Sequence, residues 1–241
     1  MEYRSLRSEV NVRLDEYVAA RRRITELRPD QVDSWLQYGY AQLHTGDYAG
    51  SRASLLRARD MYTAPDETAA AVFSFLHRLD VPAAFALAEA AAQRADIGPS
   101  TLYQAHRVFL YAGEVARAAQ LAARHNQGTV DPTSVLIVNT RQACAEGRVA
   151  DAEAHYARLG DAHVGSVIAN RWLFLKTLGR DDEARDFLLP FDTPGGLSTL
   201  IGFLNYTTFD PADFSYLNEV LLAQGISRPP ATEIPFACRR D

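Results

Sequence analysis

The chain has 241 residues, 30 acidic and 25 basic side chains, a formal charge of −5 and 47% hydrophobic content. This is the composition of a folded protein with an ordinary core, and its acidity argues against broad nucleic-acid binding, which needs clustered positive charge. Two cysteines, Cys144 and Cys238, are too few for a disulfide framework or a four-cysteine metal site, and the longest uncharged run, Thr193 to Phe209, is too short and too broken by Pro194, Gly195 and Gly196 to span a bilayer.

In chain order, residues 1–29 begin polar and helix-rich, with no apolar signal core, and read as an N-terminal capping helix region of a cytoplasmic protein. From residue 30 to 190 one short pattern recurs. "GDYAGS" starts at Gly46, "DVPAAF" at Asp80, "GEVARA" at Gly113, "GRVADA" at Gly147 and "GRDDEA" at Gly179, a period of about 34 residues. A glycine ends a helix cheaply in the left-handed conformation. Five residues on, Ser51, Ala118, Ala152 and Ala184 are small enough for two helices to pack closely; the second copy has Phe85 there, between Ala84 and Ala86.

Thirteen residues before each turn stand Asp33, Glu67, Ser100, Ser134 and Ser166, mostly N-cap types, so a helix is expected to start at the same phase each time. The positions 11, 8, 7 and 4 before each turn form one mostly apolar helix face. Trp35, Val72, Phe73, Leu102, Phe109, Leu136 and Trp172 are among them. Each unit is therefore a helix, a turn and a second helix. Such units bury their apolar faces only by stacking.

Residues 191–241 read as a degenerate terminal helix pair, "LSTLIGFLN" and "ADFSYLNEVLLAQG", followed by an extended tail whose Pro229, Pro230 and Pro235 exclude a helix. Ile234 and Phe236 in that tail suit either the anchors of a docking peptide or a cover for the last apolar face of the array.

The copy Val32–Met61 resembles the tetratricopeptide repeat family. It has the family's Trp35, Gly39 and Gly46-Asp47-Tyr48 turn, with Ser51, Leu55 and Ala58 on the second helix and Pro29 as the inter-repeat proline. Ser51 replaces the usual Ala and Tyr38 the usual Leu; the other copies keep the period and turn but few signature residues. The resemblance implies an all-α, right-handed α-solenoid of five to six helix pairs. It also implies a protein or peptide ligand in the groove lined by the first helices, and a scaffold or adaptor rather than an enzyme. The family's carboxylate clamp is not reproduced, since its positions hold Leu36 and Tyr40 in the first copy. A substrate-recruiting or regulatory subunit of an enzyme is the alternative.

Spacing alone places a neighbouring helix face at 10, 6, 3 and 2 residues before each turn. It includes Tyr40 and His44, then His77 and Arg78, then Tyr103, Arg107 and Tyr111, then Arg141, and finally Lys176. None of the twenty positions is Asp or Glu. Arg78, Arg107 and Arg141 recur at nearly the repeat period and could form a cationic ladder for an acidic or aromatic-acidic peptide, Tyr and Arg being the residues of binding hot spots. Pairing with carboxylates of neighbouring helices, or burial between units, is the competing fate of these side chains. No nucleotide loop, catalytic motif or metal pair is present, so no cofactor and no metal are implied, and Cys144 reads as a buried thiol.

Overall fold

The computed structural model describes residues 13–61, 67–159 and 168–238. The expected N-cap Ser166 and the first twelve residues of the capping region lie outside them. Among the described residues there are thirteen α-helices and no strand. α1 (Leu14–Leu27) precedes five pairs: α2 (Val32–His44) with α3 (Tyr48–Asp60), α4 (Glu67–Leu76) with α5 (Val81–Ala92), and α6 (Pro99–Tyr111) with α7 (Val115–Gln127). α8 (Pro132–Ala145) with α9 (Val149–Leu159) and α10 (Ile168–Thr177) with α11 (Asp181–Leu188) complete the five. Partners within a pair pack together, and α2, α4, α6, α8 and α10 also contact one another in succession. No described helix is long and apolar enough to cross a membrane.

The turns are built as their glycines require. Gly46, Gly113, Gly147 and Gly179 have φ between 68° and 76°, a region that residues with a Cβ rarely adopt. The next residue's N–H then reaches back over the helix end: Asp47 to the Gln42 carbonyl, Glu114 to Phe109, Arg148 to Ala143 and Arg180 to Leu175. The second turn lacks glycine and closes one residue shorter, from the Asp80 N–H to the Leu76 carbonyl. Asp80 therefore occupies the place of Asp47 rather than that of Gly46. Ala84, fully buried, takes the role of Ser51, Ala118, Ala152 and Ala184, which accounts for the bulky Phe85 at the expected small position. The first helices begin one to two residues ahead of Asp33, Ser100 and Ser134, because Pro99 and Pro132 fit the first helical position and Asp131 caps α8 by accepting from the Ser134 N–H.

The first pair shows why small residues are needed. A Cβ on Gly39 would lie 3.0 Å from Leu55 Cγ and 3.2 Å from the Ser51 carbonyl oxygen. Ser51 Oγ uses the same close approach to donate to the Gly39 carbonyl at 2.7 Å. Asp47 joins the two helices, accepting from the Gly50 N–H and from Gln42 Nε2, both at 2.9 Å.

The C-terminal part continues with α12 (Leu197–Ile201), 3-10 turns at Gly202–Asn205 and Pro211–Asp213, and α13 (Ser215–Ala223). Phe203, Phe209, Phe214 and Leu217 form one apolar cluster with Trp172, Leu175 and Leu188 of the last pair. Leu14 of α1 belongs to the same cluster, and its N–H donates to Gln224 Oε1 at 3.0 Å, so α1 meets the end of α13.

The tail does not cover the last face of the array. Ile234 and Phe236 pack instead into the cluster of the first three pairs, and Phe236 meets the Tyr111 ring edge-on at 5.3 Å. An extended strap, residues 226–238, thus crosses the face formed by the first helices. It starts at the first turn, where Arg228 donates to Leu204 O at 2.6 Å and to Tyr48 Oη at 3.0 Å and lies against Gly46. It ends at the last, where the Cys238 N–H donates to Thr177 O at 2.7 Å and its carbonyl leaves no room for a Cβ on Gly179. The strap is extended apart from a turn at Pro235–Phe236, closed by the Ala237 N–H donating to the Ile234 carbonyl at 3.1 Å.

Cys144 is not a thiol. It forms a disulfide with Cys238, 94 residues away, with Cα atoms 4.5 Å apart. The pairing depends on the strap returning over the end of α8, which no local pattern announces.

Candidate functional site

The face expected to be an open groove is covered. The Gly202–Asn205 turn packs on α2, residues 206–208 and the strap lie over α4, α6 and α8, and most of the twenty groove positions are buried or half-buried. Between this cover and the helices is a cavity of about 20 Å³, on the scale where one water molecule needs about 10–15 Å³. Its walls come from the ends of α4, α6, α8 and α10, from Tyr206–Thr208 and from Ile234 and Phe236 of the strap.

Arg78, Arg107 and Arg141 meet there, one from each of three successive units. Arg141 is the most deeply placed, at 4% exposure. Its Nη2 donates to Tyr103 Oη at 3.1 Å, and its guanidinium lies 4.8 Å from the centre of the Tyr103 ring. Arg107 Nη2 donates to the Ser74 carbonyl at 3.1 Å and to Gln104 Oε1 at 2.7 Å. Arg78 Nη1 donates to the Asn205 carbonyl and, at 2.6 Å, to Asn205 Oδ1, and its guanidinium lies over the Tyr206 ring at 4.3 Å. All these partners are neutral. Among the described residues none of the three arginines has an ion pair, whereas many surface arginines do, such as Arg52 with Asp80 and Arg117 with Glu89. Arg107 Nε and Arg141 Nη1 are sealed from solvent with no acceptor among the described residues.

The electrostatic consequences are large. Burial, with Arg141 and Arg78 alongside, pushes the Arg107 pKa down to about 10. Burial and the same cations hold His77, 2% exposed, well below the usual histidine range, so its imidazole is neutral. Its Nδ1 faces the Phe73 carbonyl at 3.3 Å and so carries the proton. Burial likewise raises the Tyr111 phenol.

The other expected site residues serve different ends. Tyr103 holds Arg141 from outside the cavity. Tyr40 accepts from Asn205 Nδ2 at 3.1 Å and touches Phe75 at 5.0 Å, helping to fix the cover on α2 and α4. His44 packs between Tyr17 and Tyr40 under Arg228; burial first, then Arg228 and Arg78, push its pKa down to about 4. Lys176 is not at the cavity and pairs with Asp181. Asn205, Tyr206, Thr207 and Thr208 carried no mark in the sequence, since they join the site only through the return of the chain. Among the described residues no group of three or more His, Cys, Asp or Glu side chains converges as metal ligands would.

No family model, curated protein or solved structure matches the chain.

Proposed function

We propose that the protein is a non-enzymatic binding module of the tetratricopeptide type, a right-handed solenoid that holds an anionic ligand between its first helices and its own C-terminal strap. The observation behind this reading is the meeting of Arg78, Arg107 and Arg141 in one enclosed cavity without a carboxylate partner. Removing charge from water is costly unless compensated, and a protein that keeps one buried and two half-buried cations beside one another is arranged for an anion supplied from outside. The lining contains guanidinium groups, hydroxyls and one neutral imidazole, groups that hold an anion by charge and by hydrogen bonds.

A second reading is favoured by the course of the strap. It lies along the first helices as a bound peptide would, so an acidic partner could engage the inner face by displacing it, and the protein would then act as a regulatory subunit. Disulfides persist in oxidising compartments and open in reducing ones, so the Cys144–Cys238 bridge would decide whether the strap can leave.

The test is thermal unfolding of the full chain against multivalent anions, with sodium chloride at matched ionic strength as the control. At least one anion class is expected to raise Tm above the chloride control, and the rise should vanish in Arg141→Gln. If every anion merely tracks ionic strength, the reading fails.

A further inference from the structure

We infer that the cavity beneath the strap is a site for a single phosphate-type oxyanion, a tetrahedral dianion held by Arg78, Arg107 and Arg141. This inference rests on the proposed anion-binding function and specifies its ligand class.

The three guanidinium groups are anchored, not neutralised. Each spends one nitrogen on a neutral acceptor of its surroundings: Asn205 for Arg78, Ser74 and Gln104 for Arg107, and Tyr103 for Arg141. That fixes the planes of the groups and leaves other N–H donors for something else, in the manner of a preorganised site. Arg141 shows it most clearly. It is 4% exposed, lines the cavity, and keeps Nη1 sealed and without an acceptor. Arg107 Nε is in the same condition. Burial first, and then the neighbouring Arg141 and Arg78, depress the Arg107 pKa.

Charge and shape then select the ligand class. Three cations with no carboxylate among the described residues beside them call for more than one negative charge. A lone carboxylate offers one charge and two oxygens in a plane. A phosphate-type group offers about two charges and acceptor oxygens in all directions, which suits forks arriving from three separate helices. The remaining wall is rich in hydroxyls, with Tyr111, Thr177, Tyr206 and Thr208 available as donors. Size points the same way. A sphere of 20 Å³ widened by the roughly 1.4 Å radius of water is about 3 Å in radius, the reach of one tetrahedral oxyanion and much less than that of a nucleotide. Free phosphate and the terminal phosphate of a larger molecule share this chemistry. Ile234 and Phe236 close the cavity on the strap side, so a phosphomonoester enters only where the strap leaves its organic part a way out.

The experiment is isothermal titration of the full disulfide-bonded chain, dialysed into phosphate- and sulfate-free chloride buffer, with inorganic phosphate, phosphoserine and malonate in separate runs. Saturable one-to-one binding of inorganic phosphate is expected, weakened tenfold or more in Arg141→Gln and in Arg107→Gln and unchanged in Lys176→Ala, whose side chain lies outside the cavity. Circular dichroism of each variant shows that it is folded, and Arg107→Lys, which keeps the charge but loses the fork, should fall between the wild type and Arg107→Gln. Phosphoserine binding alongside inorganic phosphate supports the site with a phosphomonoester as ligand; its failure to bind supports the site with the free ion. If malonate binds and neither phosphate compound does, the oxyanion assignment is overturned while the anion-binding reading stands. If none of the three binds, both are overturned.

Discussion

Replacing Arg107 by methionine should stabilise the ligand-free protein, although it removes hydrogen bonds. Burial, and then the neighbouring Arg141 and Arg78, lower the Arg107 pKa from 12.5 to about 10. A cation whose pKa is depressed on folding destabilises the fold at every pH below that value and is relieved only as pH rises through about 10. At about 1.4 kcal/mol per pH unit, a shift of roughly 2.5 units costs about 3 kcal/mol at neutral pH. Methionine retains much of the apolar stem but loses the bonds to the Ser74 carbonyl and Gln104 Oε1, a net loss of about 1–2 kcal/mol. A gain of about 1–2 kcal/mol remains, within the range found when buried ion pairs are replaced by hydrocarbon. For a chain of this length that is roughly 3–6 °C in Tm. The assay is urea and thermal unfolding of both proteins in anion-poor chloride buffer, repeated in phosphate. The methionine variant should be the more stable without phosphate, and the wild type should gain on it as phosphate is added. If Arg107→Met unfolds at lower urea than the wild type in the absence of phosphate, the three arginines are not uncompensated and the argument for an anion collapses.

Reduction of Cys144–Cys238, or the double substitution Cys144→Ser with Cys238→Ser, releases a closure spanning 94 residues, worth up to about 4.7 kcal/mol on chain entropy and typically 2–4 kcal/mol; an unchanged urea midpoint with and without reductant would contradict this. Acid should destabilise the fold early: burial, then Arg228 and Arg78, hold His44 at about 4, so stability present above the unfolded value of about 6.5 is lost as pH falls towards 4, by about 3 kcal/mol for that residue. Unfolding free energy followed against pH should show this limb flattened in His44→Phe, while an identical profile would place the loss elsewhere. Gly39→Val should cost about 1–3 kcal/mol, because Leu55 and the Ser51 carbonyl already stand 3.0–3.2 Å from where its Cβ would be; thermal unfolding measures it, and an unshifted Tm would show that α2 and α3 separate without penalty.

The repeat was legible because it is local. Gly46, Gly113, Gly147 and Gly179 must adopt positive φ, and Ser51, Ala118, Ala152 and Ala184 must be small wherever two helices cross closely. Both demands are met within a few residues of chain and recur each time the unit recurs. The slip at Asp80 came from a turn that closes a residue shorter without glycine, which displaces the small position from Phe85 to Ala84. The groove arginines were legible for the same reason, as residues at one helical phase. The competing fate was carboxylate pairing or burial between units; the three arginines instead lie beneath Tyr206–Thr208 and the strap, with no ion pair among the described residues.

The sequence alone therefore determined the helix pairs, their phase and the line Arg78, Arg107, Arg141, since short-range backbone geometry and helical periodicity are written in neighbouring residues. Only the tertiary structure decided that this line is roofed. Asn205 reaching Arg78 and Tyr40, Arg228 reaching Tyr48, and Cys238 reaching Cys144 are contacts across 94 to 180 residues. Such contacts depend on how whole helices stack and on where an extended strap can lie, and that geometry turns an exposed row of cations into a covered cluster.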